Sequence, residues 1–127
     1  MNTHLPPNWR PRLLAVVGAS PSLQNLRLLD AWQKAEGGEA RWNPLNTKLK
    51  LYGSTAYNTA EVQNYARPTE GVCATALTLV NGYYPGILGD LQAGTKTAEQ
   101  IVADRGAQIQ TWGTDPALVM QILRAQL

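Results

Sequence analysis

Residues 31–46 read AWQKAEGGEARWNPLN, and they set the question that the rest of the chain answers. A helical run ends at Gly37 and Gly38 with an acid, Glu36, as its last side chain. A helix C-terminus carries roughly half a negative charge, so a base is the favourable residue there and a carboxylate is not. Upstream, Leu26, Leu29, Trp32 and Glu36 recur at three- and four-residue steps, which puts Glu36 in line with an apolar stripe. The spacing predicts one helix through SPSLQNLRLLDAWQKAEGG, with Ser20 as cap, Pro21 at the first helical position and Gly37 as the stop.

Helix dipole and apolar neighbours both disfavour the ionised carboxyl. An acid that keeps its proton near neutrality is what a glycosidic oxygen needs from a general acid. The paired glycines turn the chain sharply and leave space beside the carboxyl. The plain alternative is a solvated Glu ending a helix.

Composition narrows the chemistry. The chain has 127 residues, enough for a single domain over 1–127 with a real core. Net charge is +2 with scattered basic residues, which is no nucleic-acid footprint. One cysteine, Cys73, and one histidine, His4, exclude an intramolecular disulfide and argue against a structural zinc site or a Ser/His/Asp triad. No metal and no cofactor are expected. Cys73 lies in GVCATALTLV, which reads as a buried helix face. The only early apolar run, LLAVV, is too short for a signal core, and no segment is long enough to span a bilayer. The expectation is a chain made in the cytoplasm without a signal peptide and not inserted in membrane.

Elsewhere the pattern is helical with one interruption. Residues 1–8 are expected to be loosely held, and WRPRLLAVVGA forms a short helix ending near Gly18. Between 40 and 65 the chain turns rich in Asn, Thr, Tyr and Gly. KLKLY and EVQNY alternate and are expected to pair as an irregular hairpin lobe. Helix resumes at RPTEGVCATALTLVN with Val72, Ala76, Leu79 and Val80 inward. PGILGDLQ, TAEQIVAD behind Thr97, and DPALVMQILRAQL behind Asp115 follow.

AEGG followed by ARWNPLNT, then VQNYARPTEGVCATALTL and NGYYPGIL, resembles the lysozyme-like superfamily of peptidoglycan-cleaving enzymes over roughly residues 24–92. Lytic transglycosylases, goose-type lysozymes and flagellar-type glucosaminidases are its members, together with phage-type peptidoglycan hydrolases. The pass along the chain gives five to six short helices with a small irregular β-hairpin lobe, and the resemblance implies that this mainly α (α+β) fold is lysozyme-like. It matches Glu36 to the catalytic acid, Tyr65 to an aromatic lining the glycan groove, and Asn43 and Asn46 to the loop flooring the cleft. Three features depart from it. Gly37 stands where transglycosylases carry Ser, the GLMQ element is missing, and Arg67 replaces a small capping residue.

Glycoside cleavage normally uses two carboxylates. Glu39 and Glu61 are the candidates for the second. Without one, Glu36 would serve as acid and then base while the substrate's own N-acetyl group stabilises the sugar cation, the anhydro-forming route that the transglycosylase resemblance implies. A sugar groove needs flat rings and amide partners. Tyr57, Asn58, Tyr65 and Tyr83 are expected contacts beside Asn43 and Asn46, with Tyr84 and Trp112 also available and Trp32 in the core. The expected partner is the peptidoglycan glycan strand, at the cell wall or in a phage particle. The alternatives are an inactive lysozyme-like module that binds wall glycan or builds a phage or secretion assembly, and a helical partner-binding module.

Overall fold

The computed structural model describes residues 4–126, as six helices and a small two-stranded antiparallel sheet. The helices are α1 (Trp9–Val16), α2 (Leu23–Glu36), α3 (Pro68–Leu79), α4 (Pro85–Ala93), α5 (Ala98–Trp112) and α6 (Pro116–Ala125). Strands β1 (Thr55–Ala56) and β2 (Gln63–Asn64) pair with Thr55 opposite Asn64 and Ala56 opposite Gln63.

The central element is α2, which packs against α1, α5 and α6. Its apolar residues Leu28, Leu29, Ala31 and Trp32 are fully buried and meet Leu13 and Leu14 of α1, Ile101 and Ile109 of α5 and Leu123 of α6 in one core. Ser22, rather than Ser20, caps α2, its hydroxyl accepting from the Asn25 amide at 3.2 Å. Pro21 therefore precedes the helix. Asn25, fully buried, explains the shift: its side chain donates to Ser20 O and Leu91 O at 3.0 and 2.9 Å, tying the lead-in segment to α4. At the other end Gly37 adopts φ +59° and its N–H closes on Gln33 O, the left-handed stop that glycine makes without strain.

The helix expected over TAEQIVAD continues to Trp112, through a break at Arg105 (φ −116°, ψ 22°). Arg105 reaches across to Asp90 of α4, with Nε and Nη2 at 2.8 and 3.2 Å from its two carboxylate oxygens. Gly86 admits that side chain, since a Cβ there would lie 2.7 Å from Arg105 Cδ. Lys96 is the second cation on Asp90. The Arg105 hydrogen bond, with Lys96 adding to it, holds the Asp90 carboxyl below the ordinary carboxylate range against the opposing effect of burial. A Thr97–Gln100 capping box starts α5.

Several expectations are corrected. KLKLY forms no strand: the partner of β2 is 55–56, and the 47–51 segment runs past it, contributing Thr47 O as acceptor for Gln63 N–H. Cys73 is exposed, as are Leu77 and Val80, because α3 buries the face carrying Val72, Thr75, Ala76 and Leu79. Of the segment expected to be loose, residues 4–8 are anchored: Pro6 is buried and His4 O accepts from Trp42 N–H at 2.7 Å. Residues 1–3 lie outside the described residues.

Candidate functional site

Between α2 and α3 the chain forms the lobe, and its own amides build it. Asn43, 1% exposed, donates to Thr47 O and Gln63 O, both at 2.8 Å, and accepts from Thr47 N–H. Asn64 accepts from Arg41 N–H, and Asn58 from Val62 N–H. Gly71 is where the lobe meets α3: a Cβ would fall 1.6 Å from Trp42 O. Trp42 and Asn46 both take left-handed backbone, at φ 59° and 57°.

That path brings Asn46 to the end of α2. Its side-chain N–H donates to Glu36 Oε1 at 2.8 Å. The other carboxyl oxygen, Oε2, accepts from the Thr114 hydroxyl, which itself accepts from Trp32 Nε1 at 2.8 Å. Thr114 is buried in the turn between α5 and α6, set by Gly113 at φ 109° and by its own N–H on Ile109 O. A hydrogen-bonded chain thus runs from the core indole through a hydroxyl to the half-buried Glu36 carboxyl and on to Asn46. The second glycine has a separate task from the first. A Cβ on Gly38 would stand 1.9 Å from Asn46 Oδ1, so only a bare backbone leaves the amide its place.

Beside this chain lies a cleft of about 220 Å³ lined by Asn46, Thr47, Lys48, Thr78, Tyr84, Thr111 and Trp112. The aromatic side of the cleft is held by a hydrogen bond and by ring packing. Trp112 is half-buried, donates through Nε1 to Leu45 O at 2.7 Å, and packs at 5.1 Å edge-on to Trp32 and at 5.0 Å to Tyr84. Burial, and then Tyr83 next to it, push the Tyr84 phenol up, so it stays an O–H donor at neutral pH. Thr47 and Thr78 hydrogen-bond to each other at 2.5 Å, with Thr78 donating to Ala74 O. Glu36 does not line the cleft; it connects to it through Asn46.

The expected site residues separate into groups. Glu36 and Asn46 are brought together. Tyr65 is corrected: it is fully buried, its hydroxyl donates to Leu49 O at 2.6 Å, and burial pushes its phenol above the usual range. Asn43 is likewise corrected, since its amide is used up inside the lobe. Tyr57, Asn58 and Tyr83 are exposed but outside the cleft lining. Neither candidate for a second acid reaches the cleft: Glu39 is exposed, and Glu61 faces solvent 3.4 Å from Lys50. Thr114, Lys48 and the Thr47–Thr78 pair escaped sequence reading. The GTDP string around Thr114 signals a turn and a cap, but nothing in it signals an acid from another helix.

Among the described residues no group of three His, Cys, Asp or Glu side chains could hold a metal. No helix among them is long and apolar enough to cross a membrane. No family profile, curated protein or solved structure matches the chain significantly.

Proposed function

We propose that this chain is a lysozyme-like enzyme that cleaves peptidoglycan glycan strands with Glu36 as its single acid. The observation that carries the reading is the position of Glu36. It ends a helix, held by Thr114 and Asn46 on its two oxygens, and through Asn46 it adjoins a cleft walled by Trp112 and Tyr84. Asn46 and Thr114 both donate to Glu36 and fix the orientation of its carboxyl beside the cleft, and the aromatic wall suits the flat faces of sugar rings.

With Glu39 and Glu61 directed elsewhere, the chemistry is one-acid chemistry. For cleavage the Asn46 amide, which stands between Glu36 and the cleft, gives up Oε1 to the substrate. Glu36 then gives its proton to the glycosidic oxygen as the C–O bond breaks, and the leaving sugar departs as an alcohol. The substrate's N-acetyl oxygen stabilises the positive anomeric carbon. The Glu36 carboxylate then takes a proton from the attacking oxygen, either water or the sugar's own 6-hydroxyl, and is ready again. Hydrolysis gives a reducing end and the internal attack an anhydro sugar.

Glu36→Gln on purified cell walls tests the assignment. Positioned general acids contribute about 10²–10⁴-fold, so activity should fall by that order in a protein of unchanged fold. Mass spectrometry of the released muropeptides identifies the product. Retained lysis by the variant would refute the role. One observation favours a second reading, a non-catalytic wall-binding module of a phage or secretion assembly: both Glu36 oxygens are engaged inside the protein, as in a structural carboxylate. Binding to sacculi without release of reducing or anhydro ends would select it.

A further inference from the structure

The cleft contains one charged side chain, Lys48, in a lining otherwise made of neutral amide, hydroxyl and aromatic groups. The other three lysines are all neutralised. Lys34 lies 2.9 Å from Asp30, Lys50 lies 3.4 Å from Glu61, and Lys96 lies 3.1 Å from Asp90 and 2.9 Å from Asp104. Lys48 has no carboxylate within ion-pair distance among the described residues. No acid lines the cleft to compete for it. The Tyr84 hydroxyl, on the same lining, also lacks a protein partner among the described residues.

The volume, about 220 Å³, falls below the roughly 300–1,000 Å³ of pockets that enclose a whole small ligand. It suits one unit of a longer chain. Trp112 and Tyr84 supply the flat wall for a ring, and the threonines and Asn46 supply partners for hydroxyls. Lys48 is exposed at the edge of this lining, and an ammonium group without a counter-charge is free to pair with an anion carried by the same unit.

Resting on the glycan reading above, we infer that Lys48 is a specificity residue that selects carboxylate-bearing sugar units over neutral ones. The shared chemistry is a carboxylate beside an N-acetylated ring. On peptidoglycan it comes either from the lactyl group of the sugar or from an attached stem peptide.

The test is an NMR titration of the full chain with four defined ligands. They are a neutral N-acetylglucosamine tetrasaccharide, a peptide-free peptidoglycan tetrasaccharide with free lactyl carboxylates, the same compound amidated with methylamine, and a tetrasaccharide with stem peptides. A single solvent-accessible ion pair corresponds to about two- to fivefold in affinity. Wild type should prefer a carboxylate form over the neutral forms by that factor. The gap should close in Lys48→Gln and at high salt, with thermal stability unchanged because Lys48 is exposed. Preference for the lactyl compound assigns the carboxylate to the sugar; preference only for the stem-peptide compound assigns it to the peptide. Equal binding of acidic and neutral forms by wild type overturns the inference and leaves the glycan reading standing, as does a preference that survives Lys48→Gln. Failure of wild type to bind any of the four overturns both.

Discussion

Gly38→Ala isolates the contact that joins the acid to the lobe. The added methyl would lie 1.9 Å from Asn46 Oδ1, 2.6 Å from Cγ and 2.7 Å from Nδ2. The Gly38 backbone is not left-handed, so alanine meets no conformational objection and the effect is steric. The neighbour is the end of a side chain, so the amide swings away and gives up its 2.8 Å bond to Glu36. A hydrogen bond contributes about 0.5–1.5 kcal/mol, and about 1.5–3 where one partner is charged. Glu36 is only half-buried and water replaces part of that, leaving about 1–2 kcal/mol. At about 2.1 cal/mol/K per residue, this lowers Tm by about 4–7 °C for a chain of this length. Urea denaturation of a double-mutant cycle with Asn46→Ala measures it. Asn46→Ala alone loses the same bond, so the double variant should be about as stable as Asn46→Ala, with a coupling of about 1–2 kcal/mol. Additive losses, or an unchanged Tm in Gly38→Ala, would refute the steric chain from Gly38 through Asn46 to Glu36. Wall-lysis rates should fall in both single variants if Asn46 orients the acid.

Gly71→Ala is expected to be harsher, because its methyl meets the backbone carbonyl of Trp42 at 1.6 Å and a backbone cannot rotate aside. A loss of about 3 kcal/mol or more, read by chemical denaturation, should accompany detachment of the lobe. Thr114→Val keeps the shape but leaves the buried Trp32 indole N–H unpaired. That costs about 1–3 kcal/mol, read by chemical denaturation. Asp90 sets an acid limit. Its folded-state pKa is lowered by Arg105 and Lys96, so the folded chain binds that proton less readily than the unfolded one. Its contribution is therefore complete above the unfolded carboxylate range, near pH 4, and is lost as pH falls through the lower folded value. Asp90→Asn should reduce stability at pH 7 and flatten the loss as pH falls below the ordinary carboxylate range, by thermal melts across pH.

Local chemistry explains why much of the helical frame could be read in advance. Gly37, Pro68, Thr97 and Asp115 mark helix ends through φ preference, a missing N–H or a capping oxygen, and each acts there in the structure. The stop at Glu36 was legible for the same reason. The lobe was not. Alternation in KLKLY promised a strand, yet pairing depends on which backbone lies opposite, and Asn43 fixes a different path. Asn43, which resembled a sugar contact, is consumed by backbone groups of the lobe itself, which composition cannot distinguish from a solvent-facing amide. Cys73 was misplaced because α3 is apolar on more sides than it buries, and only its packing against α1 selects the inward face.

By itself the sequence determined that a helix ends on an acid at Glu36, followed by two glycines, and that most of the chain is helical. These are properties of residues within a few positions of each other. The tertiary structure alone decided that Thr114, 78 positions away, and Asn46 hold the carboxyl, that Gly38 is needed for an amide rather than a turn, and that Lys48 stands in a cleft with Trp112. Such contacts depend on how α2, α5 and the lobe pack together, and no local periodicity encodes that.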